Sequence, residues 1–402
     1  MINVFLILSL LSLGYAEEGC QLSIDFEKGD LKEPEPLILN GTNHIIYPDE
    51  KGILKFSTGQ TIILACPGAK NTLDVPWESQ TIEATCSKGK KFTVNGKAYP
   101  FTSFTCKKPT KSVIKKSGSC LGEFSKIEVG FDISKTLIPV IEICRNSKTD
   151  ESYYAKIHMT KSIDGYQKNS ARPSWVTDKL FSGHVNNFYT KKSQLQTLAK
   201  ILNSEELAEK YLSKNSLARG HLAPKVDFVY DSEQNTTFSY ANCAPQWTSF
   251  NGGNWKHIET AVRNFVADNN LKVTIYTGVH GQMTLKDNKD KEQAVFLDID
   301  ENNKGYIRVP KFYWKIIYDP ASLLAFAIVG VNDPFSKEIT KDMFLCKDIS
   351  DSPDAAWLTK SWNTRKSISQ GVSYACSYDD LKKAVATVPD LKVKGILRAS
   401  RK

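Results

Sequence analysis

The first evidence about this protein is what its sequence lacks. It contains no internal repeat, no low-complexity linker and, beyond residue 16, no apolar run long enough to cross a bilayer. None of its nine cysteines forms a Cys-x-x-Cys pair, so the spacing of zinc and thioredoxin-like redox sites is absent. These absences predict a soluble globular protein without a membrane partner. At 402 residues it is long for one domain and comfortable for two.

The N-terminus and the cysteines together predict secretion. Residues 1–16 are apolar, end in small residues and are followed by Glu17 and Glu18, which indicates a signal peptide cleaved after Ala16, although no Lys or Arg precedes the apolar run. Disulfides persist in oxidising compartments, and nine cysteines leave at least one thiol unpaired or bonded to another chain. We therefore expect a secreted, extracellular protein, with candidate glycosylation at the Asn-x-Thr sequences that begin at Asn40 and Asn235.

The net charge favours a negatively charged partner but does not identify which one. The formal net charge of +9 favours polyanions such as nucleic acid, membrane surfaces or glycosaminoglycans, or simply reflects a basic soluble protein. Lysines at 88, 90, 91, 107 and 108 can contact phosphates or form a solvated face.

Two parts of the chain differ in pattern. Residues 17–130 hold short β-type runs, such as Thr61–Ala65 and 91–95, among five of the cysteines, which predicts a small disulfide-bonded β-rich domain. Residues 131–402 predict a second domain of mixed α and β structure. Its predicted helices are 193–213 and 253–268, its predicted strands are 236–240 and 272–277, and its predicted hairpin pairs 294–300 with 305–309. Asp298 begins a calcium-loop pattern that lacks the required Gly and Glu, so we expect only a hairpin turn there.

The first chemically informative stretch is Arg219-Gly220-His221. Glycine lets the backbone pass close to a substrate. Arginine can grip a phosphate with two parallel hydrogen bonds, and histidine titrates near neutral pH and can accept a proton from water. A phosphodiester hydrolase needs both functions near one phosphorus atom.

The second stretch is the helix predicted after residue 253. Trp255, Ile258, Val262, Phe265 and Val266 form one apolar stripe, with Glu259 and Arg263 one turn apart on its edge. Asn251 lies just before the predicted helix, where side chains commonly cap or ligate. An amide, a carboxylate and an arginine at one helix end can hold a hydrated cation beside a phosphate. The alternatives are a simple helix cap at Asn251 and a surface ion pair between Glu259 and Arg263. His257 falls on the far, exposed side.

Together these stretches resemble the DNA/RNA non-specific endonuclease family, which has a ββα-metal active site. The matching residues are Arg219, Gly220, His221, Asn242, Pro245, Gln246, Asn251, Gly253, Trp255, Glu259 and Arg263. The resemblance covers roughly residues 131–390 and implies an α+β fold with a central antiparallel sheet flanked by helices. The cysteine-bearing N-terminal extension is most similar to secreted arthropod members. Ala218 departs from the family pattern, because many members have Asp before the Arg-Gly-His sequence.

The resemblance also implies residue roles. Asn251 would bind the metal, Mg²⁺ or a substitute such as Mn²⁺, while Glu259 and Asn242 orient its waters. His221 would be the general base, and Arg219 and Arg263 would neutralise phosphate charge. The substrate would be DNA and/or RNA, cleaved with little base specificity to leave 5′-phosphates. Weaker candidates for substrate contact are Gln246, Trp247, Arg172 and Arg308, although Trp247 equally suits the core. Cys243 is the candidate for the unpaired thiol.

Two other functions remain open at this point. One is a nucleic-acid-binding protein without catalysis, for which Ala218 is the only support. The other is a secreted basic protein that binds heparin-like polymers or a host protein through its N-terminal lysines. The joint presence of His221, Asn251, Glu259 and Arg263 favours the active nuclease, for which we expect no obligate protein partner.

Overall fold

The computed structural model describes residues 19–41, 44–177, 179–181, 183–302, 304–359 and 362–399. The predicted signal peptide and Thr42 of the first glycosylation sequence lie outside the described residues. Among the described residues, no helix is both long and apolar enough to span a membrane.

The N-terminal part is built from short strands. They are β1 (Cys20–Ser23), β2 (Leu37–Leu39), β3 (Ile53–Phe56), β4 (Thr61–Ala65), β5 (Thr81–Lys88), β6 (Lys91–Val94) and β7 (Lys97–Pro100). Strands β2-β4-β5-β6-β7 form one sheet and β1-β3 a ribbon. The strands predicted at Thr61–Ala65 and 91–95 are confirmed. The disulfide Cys20–Cys86 joins β1 to β5, and Cys66–Cys106 joins the residue after β4 to the segment after β7.

A large antiparallel sheet dominates the rest of the chain. The strands that follow are β8 (Val113–Cys120), β9 (Phe124–Ile133), β10 (Thr136–Asn146), β11 (Glu151–Thr160), β12 (Leu217–His221), β13 (Cys243–Trp247), β14 (Lys272–His280), β15 (Thr284–Lys286), β16 (Glu292–Ala294), β17 (Phe296–Ile299), β18 (Gly305–Arg308), β19 (Phe312–Asp319), β20 (Leu324–Val331), β21 (Ser373–Cys376) and β22 (Gly395–Ile396). The sheet order is β21-β20-β19-β14-β11-β10-β9-β8, and β22 joins β20 in parallel. The β17–β18 hairpin confirms the one predicted near residue 300.

Helices cover both faces of this sheet. They are α1 (Val185–Phe188), α2 (Lys191–Leu202), α3 (Glu205–Leu212), α4 (Asp231–Thr236), α5 (Thr248–Phe250), α6 (Lys256–Asp268), α7 (Ala356–Thr359) and α8 (Tyr378–Ala384). The predicted apolar stripe of α6 is buried against one face, with Ile275 and Ile317 of the sheet. Leu381 of α8 is buried against the other face with Trp314. The predicted α+β class with a helix-flanked antiparallel sheet is therefore confirmed.

Three local predictions need correction. The strand predicted at 236–240 is instead the end of α4 followed by a short 3-10 turn, and its alternating Phe238 and Tyr240 are buried against Trp175. The helix predicted at 193–213 breaks at Asn203, whose left-handed φ of 51° ends α2 before Ser204 caps α3. The boundary placed at residue 130 falls inside β9, because β8 and β9 already belong to the large sheet.

The cysteine prediction is confirmed. Besides the two N-terminal bridges, Cys120 pairs with Cys144 and Cys346 with Cys376, leaving Cys243 as the buried free thiol of the described chain. The second glycosylation sequence is poorly placed for a sugar, since Asn235 lies in α4 and its Nδ2 donates to Asp231 Oδ2 at 2.7 Å.

Buried carboxyl groups join the N-terminal strands to the part of the chain that follows them. Glu35 accepts a hydrogen bond from Gln167 Nε2 at 2.9 Å. Tyr47 donates to Glu233 Oε1 at 2.5 Å, and Tyr230 donates to the Ile46 carbonyl at 2.5 Å. Burial raises the pKa of Glu35 to about 8 and that of Glu233 to about 7. Both groups are therefore more easily accommodated as neutral acids.

Glu35→Gln is expected to stabilise the protein at alkaline but not at acidic pH. In the folded chain the pKa of Glu35 is about 8, whereas an exposed Glu has a pKa near 4.5. The contribution of Glu35 to the free energy of unfolding is therefore fully present below pH 4.5 and is lost as pH rises through 8. The gain should reach the order of 2–4 kcal/mol above pH 8, measured by urea denaturation from pH 5 to 9. Exposed Glu123→Gln is the control, and a pH-independent difference would contradict the prediction.

Candidate active site

A two-stranded ribbon presents the Arg-Gly-His sequence. Strand β12 pairs antiparallel with β13, and His221 lies opposite Cys243. Because side chains alternate along a strand, Arg219 and His221 share one face while Gly220 faces the other way. A Cβ on Gly220 would lie 2.4 Å from Gln246 Oε1 and 2.8 Å from Tyr313 Oη. Only glycine therefore lets the ribbon sit this closely on β19, where Tyr313 Oη donates to the Ala244 carbonyl at 2.9 Å.

His221 lies between aromatic rings. Its ring centroid is 4.7 Å from that of Trp175 and 5.2 Å from that of Phe238. Its Nε2 is sealed from solvent and has no hydrogen-bond partner in the part of the chain that the structure describes. Burial, reinforced by the positive charge of Arg172, lowers the pKa of His221 to about 3. The imidazole is therefore neutral at ordinary pH and keeps one nitrogen lone pair that can accept a proton.

Arg219 is held on the same face by aromatic side chains. Its Nε donates to Tyr240 Oη at 2.7 Å, and a terminal nitrogen donates to Asn186 Oδ1 at 3.2 Å. Its guanidinium lies 5.0 Å from the ring centroid of Tyr189 and 5.4 Å from that of Tyr240. These contacts fix a positive charge beside His221.

The charged groups of α6 face the sheet in an arrangement that differs from the predicted ion pair. Arg263 donates to Asp227 Oδ1 at 2.8 Å, and no salt bridge joins it to Glu259 among the described residues. Glu259 is partly buried. Burial raises its pKa to about 7, with Asp227 adding to the rise and Lys315 and Arg263 opposing it. The alternative of a simple Glu259–Arg263 surface pair is therefore wrong.

Asn251 does not cap α6. It follows α5 and opens a turn of π type, Asn251–Trp255, so α6 begins only at Lys256. Its side chain is partly exposed and forms no hydrogen bond within the described chain. The chain bends at Gly253, where a Cβ would meet the Gln370 carbonyl oxygen at 2.9 Å. Such turns inside helices are frequent at functional sites.

A distant segment holds this turn. The Asn254 backbone N–H donates to the Gln370 carbonyl at 3.1 Å. Its side-chain Nδ2 donates to the carbonyls of Thr364 at 2.9 Å and Gly371 at 2.7 Å. Thr364 Oγ1 donates back to Asn254 Oδ1 at 2.7 Å. The buried Asn254 thereby anchors the residues around Asn251 to the C-terminal part of the chain.

The donor set around Asn251 suits a hydrated hard cation. Within the described ranges, no three His, Cys, Asp or Glu side chains are grouped closely enough to enclose a metal ion. A single available amide is compatible with such an ion, since hydrated Mg²⁺ retains several waters and takes few protein ligands.

Three other predicted residues serve the scaffold instead of the substrate. Asn242 is fully buried, where its Oδ1 accepts from the Ala223 N–H at 2.9 Å and its Nδ2 donates to the carbonyls of Ala223 and Thr237. Its amide is therefore committed to the backbone and not to metal-bound water. Gln246 and Trp247 are also fully buried, and Trp247 packs edge-on against Phe335. Direct substrate contact by Gln246 and Trp247 is therefore wrong, because both side chains lie in the core.

The two weaker arginine candidates differ. Arg172 is exposed, with its guanidinium 6.0 Å from the Phe238 ring and close enough to influence His221. Arg308 donates to Glu151 Oε2 at 3.0 Å, so a carboxylate already offsets its charge. Arg172 is thus the better placed of the two to meet a phosphate.

Sequence reasoning missed Asp227, Lys315 and the aromatic Trp175 and Tyr313. Lys315 had a signal, because it is the one charged residue between Phe312 and Tyr318 in an otherwise apolar strand. Asp227 ends a short 3-10 turn and Trp175 lies in a loop, and the contacts of both depend on the tertiary fold.

The ribbon, the following helix and the supporting antiparallel sheet define a nuclease of the ββα type. Residues 123–381 match the DNA/RNA non-specific endonuclease family, and the chain belongs to that family. The expectation drawn from its motifs is confirmed, and the protein is a hydrolase of nucleic acids.

Similar proteins include salivary proteins of arthropods. A salivary endonuclease of Lutzomyia longipalpis is 27% identical over 354 residues, covering 85% of this chain and 80% of that protein. Salivary protein Tsal1 of Glossina morsitans morsitans is 26% identical over 409 residues, covering 97% of each. A salivary endonuclease of Culex quinquefasciatus is 25% identical over 372 residues, covering 90% of this chain and 88% of that protein. These relatives confirm the resemblance to arthropod members of the family.

Gly220→Ala is expected to weaken both the fold and the cleavage of nucleic acid. The added Cβ would overlap Gln246 and Tyr313 and push the ribbon off β19. Overpacking of this kind costs about 1–3 kcal/mol, and a 1 Å displacement of reacting groups can cost about a hundredfold in rate. Urea denaturation and plasmid cleavage measure the two effects. Gly41→Ala, where a Cβ meets nothing within 4 Å, is the control. Wild-type stability of Gly220→Ala would show that the contact is not restrictive.

Proposed function

We propose that this protein is a secreted, divalent-metal-dependent endonuclease that cleaves DNA and/or RNA with little base specificity and leaves 5′-phosphates. One observation carries the proposal. Within the described chain His221, Asn251 and Glu259 form no side-chain hydrogen bonds, whereas the neighbouring Asn242, Arg219 and Arg263 are all bonded. Asn251 and Glu259 are partly exposed and so are available to a cation and to water, while His221 holds an unbonded ring nitrogen that calls for a partner. The four disulfides and the salivary names of the relatives support secretion.

His221 is the proposed general base. Its neutral imidazole takes a proton from the attacking water. A pKa of about 3 is too low for efficient proton abstraction, but an anionic phosphate beside the ring would raise it toward the working range. Trp175 and Phe238 fix the ring plane, so the accepting nitrogen keeps one direction.

Asn251 and Glu259 are the proposed metal-site residues. The Asn251 amide oxygen would hold the cation, and the Glu259 carboxylate would orient water in the site. When bound, the divalent cation supplies stabilisation of the charge that develops on the phosphate and on the leaving oxygen. Mg²⁺ is the proposed ion, and Mn²⁺ is a candidate substitute.

The arginines are proposed to bind phosphate and not bases. Arg219 shares a face of the ribbon with His221, and Arg172 is close enough to influence its pKa. Arg263, bonded to Asp227, opposes the rise in the pKa of Glu259. Contacts to phosphate and sugar carry no direct sequence information, which accounts for low base specificity.

His221→Ala should lower the rate of plasmid nicking at least a hundredfold, because general-base catalysis contributes about 10²–10⁴ in rate. Asn251→Ala should lower it similarly and raise the Mg²⁺ concentration needed. The assay uses the full chain without its predicted signal peptide, supercoiled plasmid, and Mg²⁺ or excess EDTA.

His257→Ala is the matched control, since that histidine is exposed on the outer side of α6. Wild-type rates for His221→Ala would place the base elsewhere. A plasmid that is shifted in mobility but never cut by the wild type would favour a binding protein over an enzyme.

A further inference from the structure

A groove opens beside the aromatic residues that enclose His221. It lies between the outermost strands of the large sheet and the loop that follows Trp175, and its volume is about 380 Å³. Cavities of this size are typical of small-molecule sites. The lining residues come from β8, β9, that loop, α4 and the turn after α4, and they include Val113, Ile114, Val129, Val176, Lys179 and Phe238.

The groove and His221 share two walls. Phe238 lines the groove, and its ring centroid lies 5.2 Å from that of His221. Val176 also lines the groove and directly follows Trp175, whose ring centroid lies 4.7 Å from that of His221. The Val176 N–H donates to the Phe238 carbonyl at 2.8 Å, and the Tyr240 N–H donates to the Val176 carbonyl at 3.2 Å. A group in the groove is therefore separated from the proposed general base by a single side chain.

The lining is mainly apolar, with hydrogen-bonding groups along one side. Val129 and Phe238 are buried, whereas Val176 is 55% exposed. Strand β8 is the last strand of the large sheet, so the backbone N–H and C=O groups along its outer side have no neighbouring strand among the described residues. Apolar walls with polar groups at their margin match a nucleobase, which has flat faces and a hydrogen-bonding edge.

Two exposed cations accompany the groove. Lys179 lines it, and the Arg172 guanidinium lies 6.0 Å from the ring centroid of Phe238. Neither forms a salt bridge within the part of the chain that the structure describes. Positive charge beside an apolar groove suits the phosphates that flank a base in a nucleic-acid strand. An apolar peptide would use the walls and leave both charges unused.

We propose that this groove is a nucleotide subsite, which takes one unpaired base of a DNA or RNA strand whose backbone passes His221. The inference rests on the nuclease function proposed above. A base within a duplex would first have to unpair and unstack, so the groove favours single strands and loops. Contact through the face of a base is tolerant of sequence, which agrees with low base specificity.

The first test measures binding by the full chain without its predicted signal peptide, in excess EDTA so that the strand is not cut. Fluorescence anisotropy compares single-stranded oligothymidylate with an abasic deoxyribose phosphate strand of the same length. Val176→Ser removes apolar surface without changing the charge. It should weaken binding of oligothymidylate by about three- to tenfold, as expected for the partial burial of one valine side chain, and leave the abasic strand unaffected.

Two further variants separate base contact from phosphate contact. Lys179→Met should weaken binding of both strands alike and reduce its dependence on salt, because it removes a cation near the phosphates. Val75→Ser is the matched control for Val176→Ser, since Val75 is 65% exposed in the N-terminal part of the chain and should leave both affinities unchanged.

Photochemical cross-linking locates the base directly. An oligothymidylate with one 5-iodouracil is irradiated on the wild-type protein in EDTA, and the cross-linked peptide is identified by mass spectrometry. The expected peptides are those that contain Val176 or Phe238. Cross-links confined to other peptides, or an equal effect of Val176→Ser on the two strands, would overturn the inference.

Cleavage with Mg²⁺ separates this inference from the proposed function. Val176→Ser should lower kcat/KM for single-stranded DNA by the same factor as it lowers the affinity, and leave the cleavage of duplex plasmid unchanged. A wild type that binds oligothymidylate through the groove but cuts neither substrate would remove the nuclease and keep the subsite. A wild type that cuts both, with rates and affinities insensitive to Val176→Ser, would remove the subsite and keep the nuclease.

Discussion

The close approach between the Arg-Gly-His ribbon and Tyr313 is the contact on which the rest of the site depends. Tyr313 lies against Gly220 and bonds to the Ala244 carbonyl, so it seats both strands of the ribbon. The same ring packs against Phe250 at 5.7 Å and Trp255 at 5.4 Å, the aromatic residues on either side of the turn that carries Asn251. One rigid side chain on the central sheet therefore sets the relation between His221 and the helix that follows.

The sheet also determines the electrostatics of the site. Strand β19 is buried along most of its length, so charges placed above it experience a low effective dielectric. Burial shifts the pKa values of His221 and Glu259 in opposite directions. It keeps His221 neutral and moves the pKa of Glu259 into the range where neighbouring charges decide its state. The neighbouring charges differ: Arg172 adds to the lowering of the pKa of His221, whereas Lys315 and Arg263 oppose the rise in the pKa of Glu259.

Much of this could be predicted from the sequence where periodicity is strong. The stripe on α6 and the strand at 272–277 follow from local patterns, and the unpaired Cys243 was inferred from the odd number of cysteines and its position beside Asn242. Predictions were wrong where tertiary packing overrides local preference: Phe238 and Tyr240 alternate like a strand because both turn toward one aromatic cluster. Gln246 and Trp247 follow the motif but face the core. The partner of Arg263 could not be predicted, because Asp227 lies 36 residues away and helical spacing points to Glu259 instead.

The clamp around Asn254 shows that the site extends further along the chain than its motifs. All the motif residues lie between positions 219 and 263, yet the bend that orients Asn251 is held by carbonyl groups of Thr364, Gln370 and Gly371. A fragment ending before residue 364 would contain every motif residue and still lack the backbone that shapes the turn. Such a fragment would contain the motif without the complete site. The turn that carries Asn251 therefore has its full set of hydrogen bonds only when the chain is complete nearly to β21.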